Sequence, residues 1–527
     1  MTAHEDDKRS PVFAPAEMGG AAAPGGLPQD LPWPVPQRGL AGGDFTSVGV
    51  GGLGDGHNNY AHSMAYFKGK LFLGTTRSNL CMLKLQSSYA DLPLEVWPVD
   101  CPQNMDELYK LDRRAQIWAY DVASGTWDMA YRAPLVEGAE GQMVPREIGY
   151  RSMAIYQSAT DPEPALYIAA WAPGRAPGAH LLRTYDGVTF DRVTKYGILD
   201  TPTSVTRCLT VIGEKLFFAP TARRGSDGGQ QNTAGLPIVF ETTDPSTDVW
   251  TEVSEPGFGD LGNMGIFTLV AEGNQLYAGT FNLEGAQVWA AEVMGTPPYR
   301  WRKIFDKGAG RGPLNQAVAS MVAFNGCVYV GTGIQGGGTD RVNNVGPAAA
   351  EVIRINPDDS WDIVTGDVRV MDGHRMEPVS GMRAGFGNFF NGYVWNMGVH
   401  DGWIYAGTYD WSVTMRWARL DESPPRARHL FEELGTETVI AQEGGADLWR
   451  SRDGDNWLPV TRQGFGNAYN FGIRNIVSTP HGLFVGTANV FGPRVAVRDE
   501  DGAWTYEDNP RGGLEVWFGR HEEEATG

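Results

Sequence analysis

The chain has 527 residues, 69 of them Gly and 17 Trp, with a net charge of -20. That charge excludes the phosphate backbone of nucleic acid and anionic membrane surfaces as natural partners. No run of 18 apolar residues occurs, and the N-terminus MTAHEDDKRS lacks the apolar stretch of a secretion signal, so a soluble cytoplasmic protein is expected, with no membrane contact.

Residues 1–43 are rich in Pro, Ala and Gly and read as a flexible tail, with PWPVP in an extended form. From Phe45 a repeat begins. Its second strand recurs seven times: LFLGT (71–75), LYIAA (166–170), LFFAP (216–220), LYAGT (276–280), VYVGT (328–332), IYAGT (404–408) and LFVGT (483–487). Each follows a matching apolar run, from SMAYF (63–67) to NIVST (475–479), across a short turn, which is the pattern of a β-hairpin. A third strand follows in each repeat, from IWAY (117–120) to EVWFG (515–519). A fourth carries Trp127, Phe190, Trp250, Trp301, Trp361 or Trp457.

The last repeat has no fourth strand of its own. DFTSVGVGGLGD (44–55) matches NWLPVTRQGFGN (456–467) in phase, with Phe45 in the Trp place. The expected fold is therefore all-β: a seven-bladed β-propeller over 44–519 with four-stranded blades, its ring closed by an N-terminal outer strand, followed by an acidic tail at 520–527. Extra segments at about 78–114, 333–348 and 412–443 are long loops of the kind on which sites are built.

A turn motif precedes the first strands: Gly52-Leu53-Gly54-Asp55, Gly257-Phe258-Gly259-Asp260, Gly385-Phe386-Gly387-Asn388 and Gly464-Phe465-Gly466-Asn467. An Asn stands three residues on (Asn58, Asn263, Asn391, Asn470), and Asn315 holds that place in repeat 5. Gly permits positive φ and Asx side chains cap turns, so the motif reads as structural. Its oxygens leave room for a structural calcium, without the dense carboxylates of a dedicated loop; no other metal or cofactor is expected. Cys81, Cys101, Cys208 and Cys327 form no CxxC pair, so neither zinc nor a disulfide framework is signalled.

Counting nine residues back from each second strand gives His62, Arg207, Phe267, Ala319, Trp395 and Arg474, with Arg151 in the same place in repeat 2. Arg77, Asn282, Gln335, Asp410 and Asn489 follow the Gly-Thr pairs at the same end. Arginines repeated at one position favour an anion or a developing negative charge; interblade ion pairs are the plain alternative.

The stretches GFGNFFNGYVWNMGVHDGWIYAGTYDWSV, VYVGTGIQGGGTDRVNNVGPAAAEVIRI, YRWRKIFDKGAGRGPLNQ and GGLEVWFG resemble the propeller half of the cyanobacterial cylindrocyclophane- and bartoloside-forming alkylating enzymes. That family joins a resorcinol carbon or a carboxylate to a secondary alkyl chloride, and carries a calcium-binding domain ahead of its propeller. The resemblance implies that Asp306 is the base that activates the nucleophile. It also places a halide-contacting Tyr near Thr339, where this sequence has none, and a halide-contacting Arg in the calcium-binding domain, which the 43 residues before the repeat do not supply.

The expected function is alkylation of a phenolic or carboxylate nucleophile in secondary metabolism, with small aromatic and alkyl molecules as partners. Asp306, Arg77, Arg474 and Arg341 are the expected catalytic residues. Arg207, Arg151, His62, Phe267, Trp395, Tyr409, Asp410, Trp411, Gln335, Asn282 and Asp340 are expected to bind substrate. A non-catalytic ligand- or protein-binding propeller, and a glycan-processing or lectin-like one, remain the alternatives.

Overall fold

The computed structural model describes residues 38–85, 92–197, 203–223, 237–423 and 425–521. The expected PWPVP segment and most of the acidic C-terminal tail lie outside them. The chain is mostly β. Each sequence repeat folds as four antiparallel strands in series. In repeat 6, Asn391–His400 pairs with Trp403–Asp410, that strand with Leu448–Ser451, and that one with Trp457–Thr461. In repeat 7, Gly472–Thr479, Gly482–Ala488 and Val516–Gly519 follow the same order. The fourth strand there is Phe45–Gly49, with Phe45 opposite Gly519.

The second strands are the most deeply buried. Ala165–Trp171 and Gly482–Ala488 are buried at every residue, because both faces of each unit are covered by its neighbours. Units are also joined edge to edge, as at Thr76 with Gly149, Tyr409 with Gly472 and Tyr60 with Ala488.

The turn motif locks five of the seven units. Asn58, Asn263, Asn315, Asn391 and Asn470 all donate through Nδ2 to the carbonyl of a turn glycine, at 2.8–3.0 Å. The same Nδ2 groups also reach Gln116, Gln287, Glu351, Asp447 and Glu515, each two residues ahead of the third-strand aromatic or apolar position. The Thr of each Gly-Thr pair accepts the backbone N–H of that same Gln, Asp or Glu, as Thr408 does from Asp447 at 2.8 Å. These side chains are buried, so each satisfies backbone groups that water does not reach. The motif Phe is held in the left-handed region, Phe386 at φ 55°, and stacks on the third-strand Trp of its own repeat. Phe258 lies on Trp289 at 5.2 Å, Phe386 on Trp449 at 5.1 Å and Phe465 on Trp517 at 4.6 Å.

The long loops form a cap. Residues 78–114 hold helices α1 (Asn79–Lys84) and α2 (Met105–Lys110); residues 412–443 hold a 3-10 turn and helices α3 (Pro425–Leu434) and α4 (Thr436–Glu443). A further hairpin in repeat 7, Arg494–Arg498 with Trp504–Asp508, joins them; it has ordinary strand composition and falls outside the seven-fold phrase, so the repeat pattern passes over it. The three segments are knit by Glu95 N to Trp417 O, Ala496 N to Pro98 O and Trp417 Nε1 to Ala496 O.

Two expectations are corrected. The expected tail ends earlier than residue 43: Leu40 is buried against Trp403 and Tyr405, and its N–H donates to Tyr405 Oη at 2.9 Å. Cys81 and Cys101 form a disulfide inside the cap. Their separation of 20 residues carries no motif; α1 and the strand-like segment at Val99 bring them together. Structural disulfides persist chiefly in oxidising compartments, which bears on the cytoplasmic expectation. Cys208 and Cys327 are free and partly buried, and burial pushes both thiols up. Among the described residues no helix is long and apolar enough to cross a membrane.

Candidate functional site

The first strand of every repeat is interrupted at one equivalent residue. Register shifts fall between Ala61 and Ser63, Tyr150 and Ser152, Thr206 and Cys208, Ile266 and Thr268, Val318 and Ser320, Val394 and Asn396, and Ile473 and Asn475. The extra residues are His62, Arg151, Arg207, Phe267, Ala319, Trp395 and Arg474. A β-bulge leaves one residue out of the ladder and re-aims its side chain. The positions aligned by counting in the sequence are therefore one structural position.

First strands of successive repeats are neighbours, and that of repeat 7 also neighbours that of repeat 1. The residues at the bulges then fall into two groups. Arg474, His62, Arg151 and Arg207 come from repeats 7, 1, 2 and 3, which are consecutive in that order. Phe267, Ala319 and Trp395 come from repeats 4, 5 and 6. One side is cationic and the other apolar.

The basic side chains act on one another. Burial holds His62 well below the usual imidazole range, and Arg474, Arg151 and Arg207 push it in the same direction. Burial, then Arg207 and Arg474, lower Arg151. Burial, then Arg207, brings Arg474 down to about 10, so it stays charged at neutral pH. Each arginine is backed by a ring: Arg151 over Trp171 at 4.6 Å, Arg207 over Phe267 at 4.0 Å and Arg474 over Trp395 at 5.2 Å. Arg207 Nε also donates to the Phe267 carbonyl at 2.8 Å. Cation–π contact fixes the guanidinium plane and is stronger where water is excluded. Arg474 Nε is buried with no hydrogen-bond partner among the described residues. His62 is buried, and its Nδ1 meets Thr76 Oγ1 in a short hydrogen bond.

Trp395 anchors an aromatic wall beside Arg474, with Tyr409 at 5.3 Å, Tyr60 at 5.8 Å and Phe471 at 6.0 Å. Tyr60, Trp395 and Tyr409 pack in turn against the cap. Tyr60, Trp171 and Phe471 are site residues that counting misses, because they flank the bulge rather than occupy it.

Several expected site residues lie elsewhere. Arg77 is fully engaged: Nη1 donates to Asn58 at 2.7 Å, Nη2 to Asp55 at 2.8 Å, and Nε and Nη2 to the Asp112 carbonyl. It is a turn lock, the ion-pair alternative. Asn282 donates to Asn263 at 3.0 Å and belongs to the same lock. Asp410 is buried and accepts from Ser412 and Asn388, capping the 3-10 turn that follows. Burial pushes its carboxyl up to about 8. Trp411 is a core residue of the cap, against Phe390 at 4.8 Å. Asp340 accepts from Asn343 within its own loop and from Gln316, just ahead of the first strand of its repeat. Arg341 is exposed on that loop, with Glu422 as its charged neighbour. Gln335 is half-buried there too. Asp306 sits just past an outer strand, Arg302–Phe305, half exposed and paired with Lys303 at 3.0 Å. Its place in the repeat matches Glu255 and Arg462, ahead of the turn motif, and not the bulge. Among the described residues no three His, Cys, Asp or Glu side chains gather as a metal site needs, and the motif Asn oxygens, which left room for a structural calcium, are engaged in the locks.

No family model and no curated protein matches the chain. Among solved structures it is similar to a prolyl endopeptidase, at 8% identity over 84% of this chain and 45% of that one, with a TM-score of 0.37. It is similar to the Dos1 propeller, at 9% identity over 90% and 94% of the two chains, TM-score 0.42. YCF48 from Cyanidioschyzon merolae matches at 11% identity over 70% and 95%, TM-score 0.32. The chain spans less than half the length of the prolyl endopeptidase. These likenesses concern the fold alone.

Proposed function

We propose that the chain is a seven-bladed β-propeller, closed by its N-terminal strand, that binds a small organic anion at the inner end of blades 7, 1, 2 and 3. Closure is supported by the pairing of Phe45–Gly49 with Val516–Gly519 and by the contact of the first strands of repeats 7 and 1. The anion is supported by one observation above all: Arg474, His62, Arg151 and Arg207 stand at equivalent bulges of consecutive repeats. The charged neighbours that lower Arg151 and Arg474 are other arginines. Gathering like charges away from water is costly, and an anion offsets that cost. The apolar half favours an acid with an aryl or alkyl body over an inorganic ion.

The reaction suggested by the family resemblance is alkylation, and the carboxylate branch of that family suits this site better than the phenolic one. A phenol needs a base, and Asp306 is paired with Lys303 on an outer strand. A carboxylate needs none: its oxygen forms a C–O bond as the C–Cl bond breaks and chloride leaves with the electron pair. The arginines would orient the carboxylate and stabilise the departing chloride.

Calorimetric titration with benzenesulfonate, which is charged at every pH used, tests the binding reading. Arg474→Leu and Arg151→Leu are expected to weaken it at least tenfold. Unchanged affinity in both would remove the site. Incubation of an aryl carboxylic acid with a secondary alkyl chloride, read by mass for the ester, tests the chemistry. Tight binding with no ester would leave a binding module.

A further inference from the structure

Of the seven residues at the bulges, six carry large side chains and one does not. Ala319 is the exception, and it is only half buried. Its flanking positions are rigid. Phe267 is stacked on Phe281 at 5.3 Å and tied to Arg207 through its carbonyl. Trp395 is held by the rings around it and by Arg474. The backbone at Ala319 is itself fixed, since Ser320 Oγ donates to the Val394 carbonyl at 2.7 Å. Neither neighbour is free to fill the place a larger residue would take.

The position in the repeat order matters as much as the size. The basic arc covers repeats 7, 1, 2 and 3, so its middle falls between repeats 1 and 2. In a cycle of seven, repeat 5 stands farthest from that middle. The small residue thus faces the arginines from across the site.

We propose that Ala319 forms a recess that receives the apolar end of the bound acid, and so sets which acids the protein accepts. This rests on the anion reading above. The ligand class is an elongated amphipathic anion: a headgroup on Arg151, Arg207 and Arg474, and an alkyl or para-substituted aryl body directed at Ala319. Polar substituents at the far end are disfavoured, because the side chains on either side of Ala319, Phe267 and Trp395, are aromatic.

The test compares sulfate, benzenesulfonate and 4-butylbenzenesulfonate by calorimetry on the full chain, with Ala319→Val, Ala319→Leu and Ala319→Phe as a graded series. In the unsubstituted protein the butyl group is expected to strengthen binding by about threefold to fourfold per methylene, the value of moving one CH₂ out of water. Ala319→Leu and Ala319→Phe are expected to erase that gain while leaving sulfate unchanged, with Ala319→Val intermediate. A butyl gain that survives all three substitutions overturns the recess and leaves the anion site standing. So does the absence of any butyl gain in a protein that binds sulfate and benzenesulfonate. If none of the three probes binds, the anion reading falls and the recess with it. Thermal melts of the three variants separate a blocked recess from misfolding, and Ala319→Val, one step in size, keeps the series readable if the Phe variant does not fold.

Discussion

Asn391 donates through Nδ2 to Asp447 Oδ2 at 2.9 Å, and neither side chain reaches solvent. Trp449 Nε1 donates to the same oxygen at 3.2 Å, while Asp447 Oδ1 has no partner among the described residues. A carboxylate so placed loses its hydration and regains only part of it. Burial pushes Asp447 up to about 7, against the lowering effect of Asn391 and Arg462. Asp410 is likewise raised to about 8, by burial first and by Asp447 as well.

The pH dependence of stability follows. A carboxyl whose folded value lies above its unfolded one holds its proton more tightly in the native state. Its contribution is whole below about pH 4 and is lost as pH rises through about 7. Asp447→Asn keeps the acceptor for Asn391 and Trp449 and removes the titration. Gln116 and Gln287 already occupy this place in repeats 1 and 4, so an amide suits it. The variant is expected to melt higher than the parent at pH 8 and to match or fall below it at pH 5. Parallel melting curves across that range would refute the assignment.

The scaffold was legible because the same physical demand recurs. Five units need an Asn to bridge a turn glycine to a third-strand partner, so Asn58, Asn263, Asn315, Asn391 and Asn470 repeat in phase with the strands. The bulge residues were legible by position for the same reason. What the sequence hid was engagement. Arg77 and Arg474 look alike in a string of letters. One ends a second strand beside Asp55 and Asn58; the other stands at a bulge beside a Trp ring. Nor does spacing reveal the cap: Cys81 meets Cys101 only once the insertion that carries both has folded, and Trp417 meets Phe491 only after separate insertions fold onto one another.

The pairing of the N-terminal strand with the last repeat carries its own prediction. Phe45 meets Phe465 at 5.4 Å, as Trp301 meets Phe258 and Trp457 meets Phe386 in their repeats. Removing residues 1–49 deletes this strand and leaves Val516–Gly519 as an open edge. The whole domain is expected to melt lower and to self-associate, as seen by calorimetry and light scattering. A truncated chain that melts unchanged as a monomer would show that the N-terminal strand is dispensable.

The disulfide is expected to stabilise the cap rather than the blades. It closes a loop of 20 residues, which constrains the unfolded chain by roughly 3 kcal/mol. In Cys81→Ser/Cys101→Ser, limited proteolysis should cut first between residues 78 and 114, with the blades still intact. Cleavage elsewhere, or none beyond that of the parent, would place the disulfide's effect outside the cap.

His62 gives the anion site a pH signature. Burial comes first among the causes of its lowered value, and Arg474, Arg151 and Arg207 follow. Tyr60 and Trp171 meet it in T-shaped contacts, at 5.6 and 5.8 Å, and Thr76 offers a hydroxyl. A bound sulfonate screens the arginines and so raises the imidazole toward its ordinary value. By linkage, binding then takes up a proton, and affinity climbs as pH falls through the acid range in which the imidazole titrates. Since benzenesulfonate does not titrate in this range, the slope belongs to the protein. His62→Gln is expected to flatten the dependence between pH 5 and 8 while keeping affinity at pH 8 within about threefold, because the imidazole is neutral there and an amide replaces it without changing charge. If the slope persists in His62→Gln, another group takes up the proton, and His62 is only a wedge between the arginines.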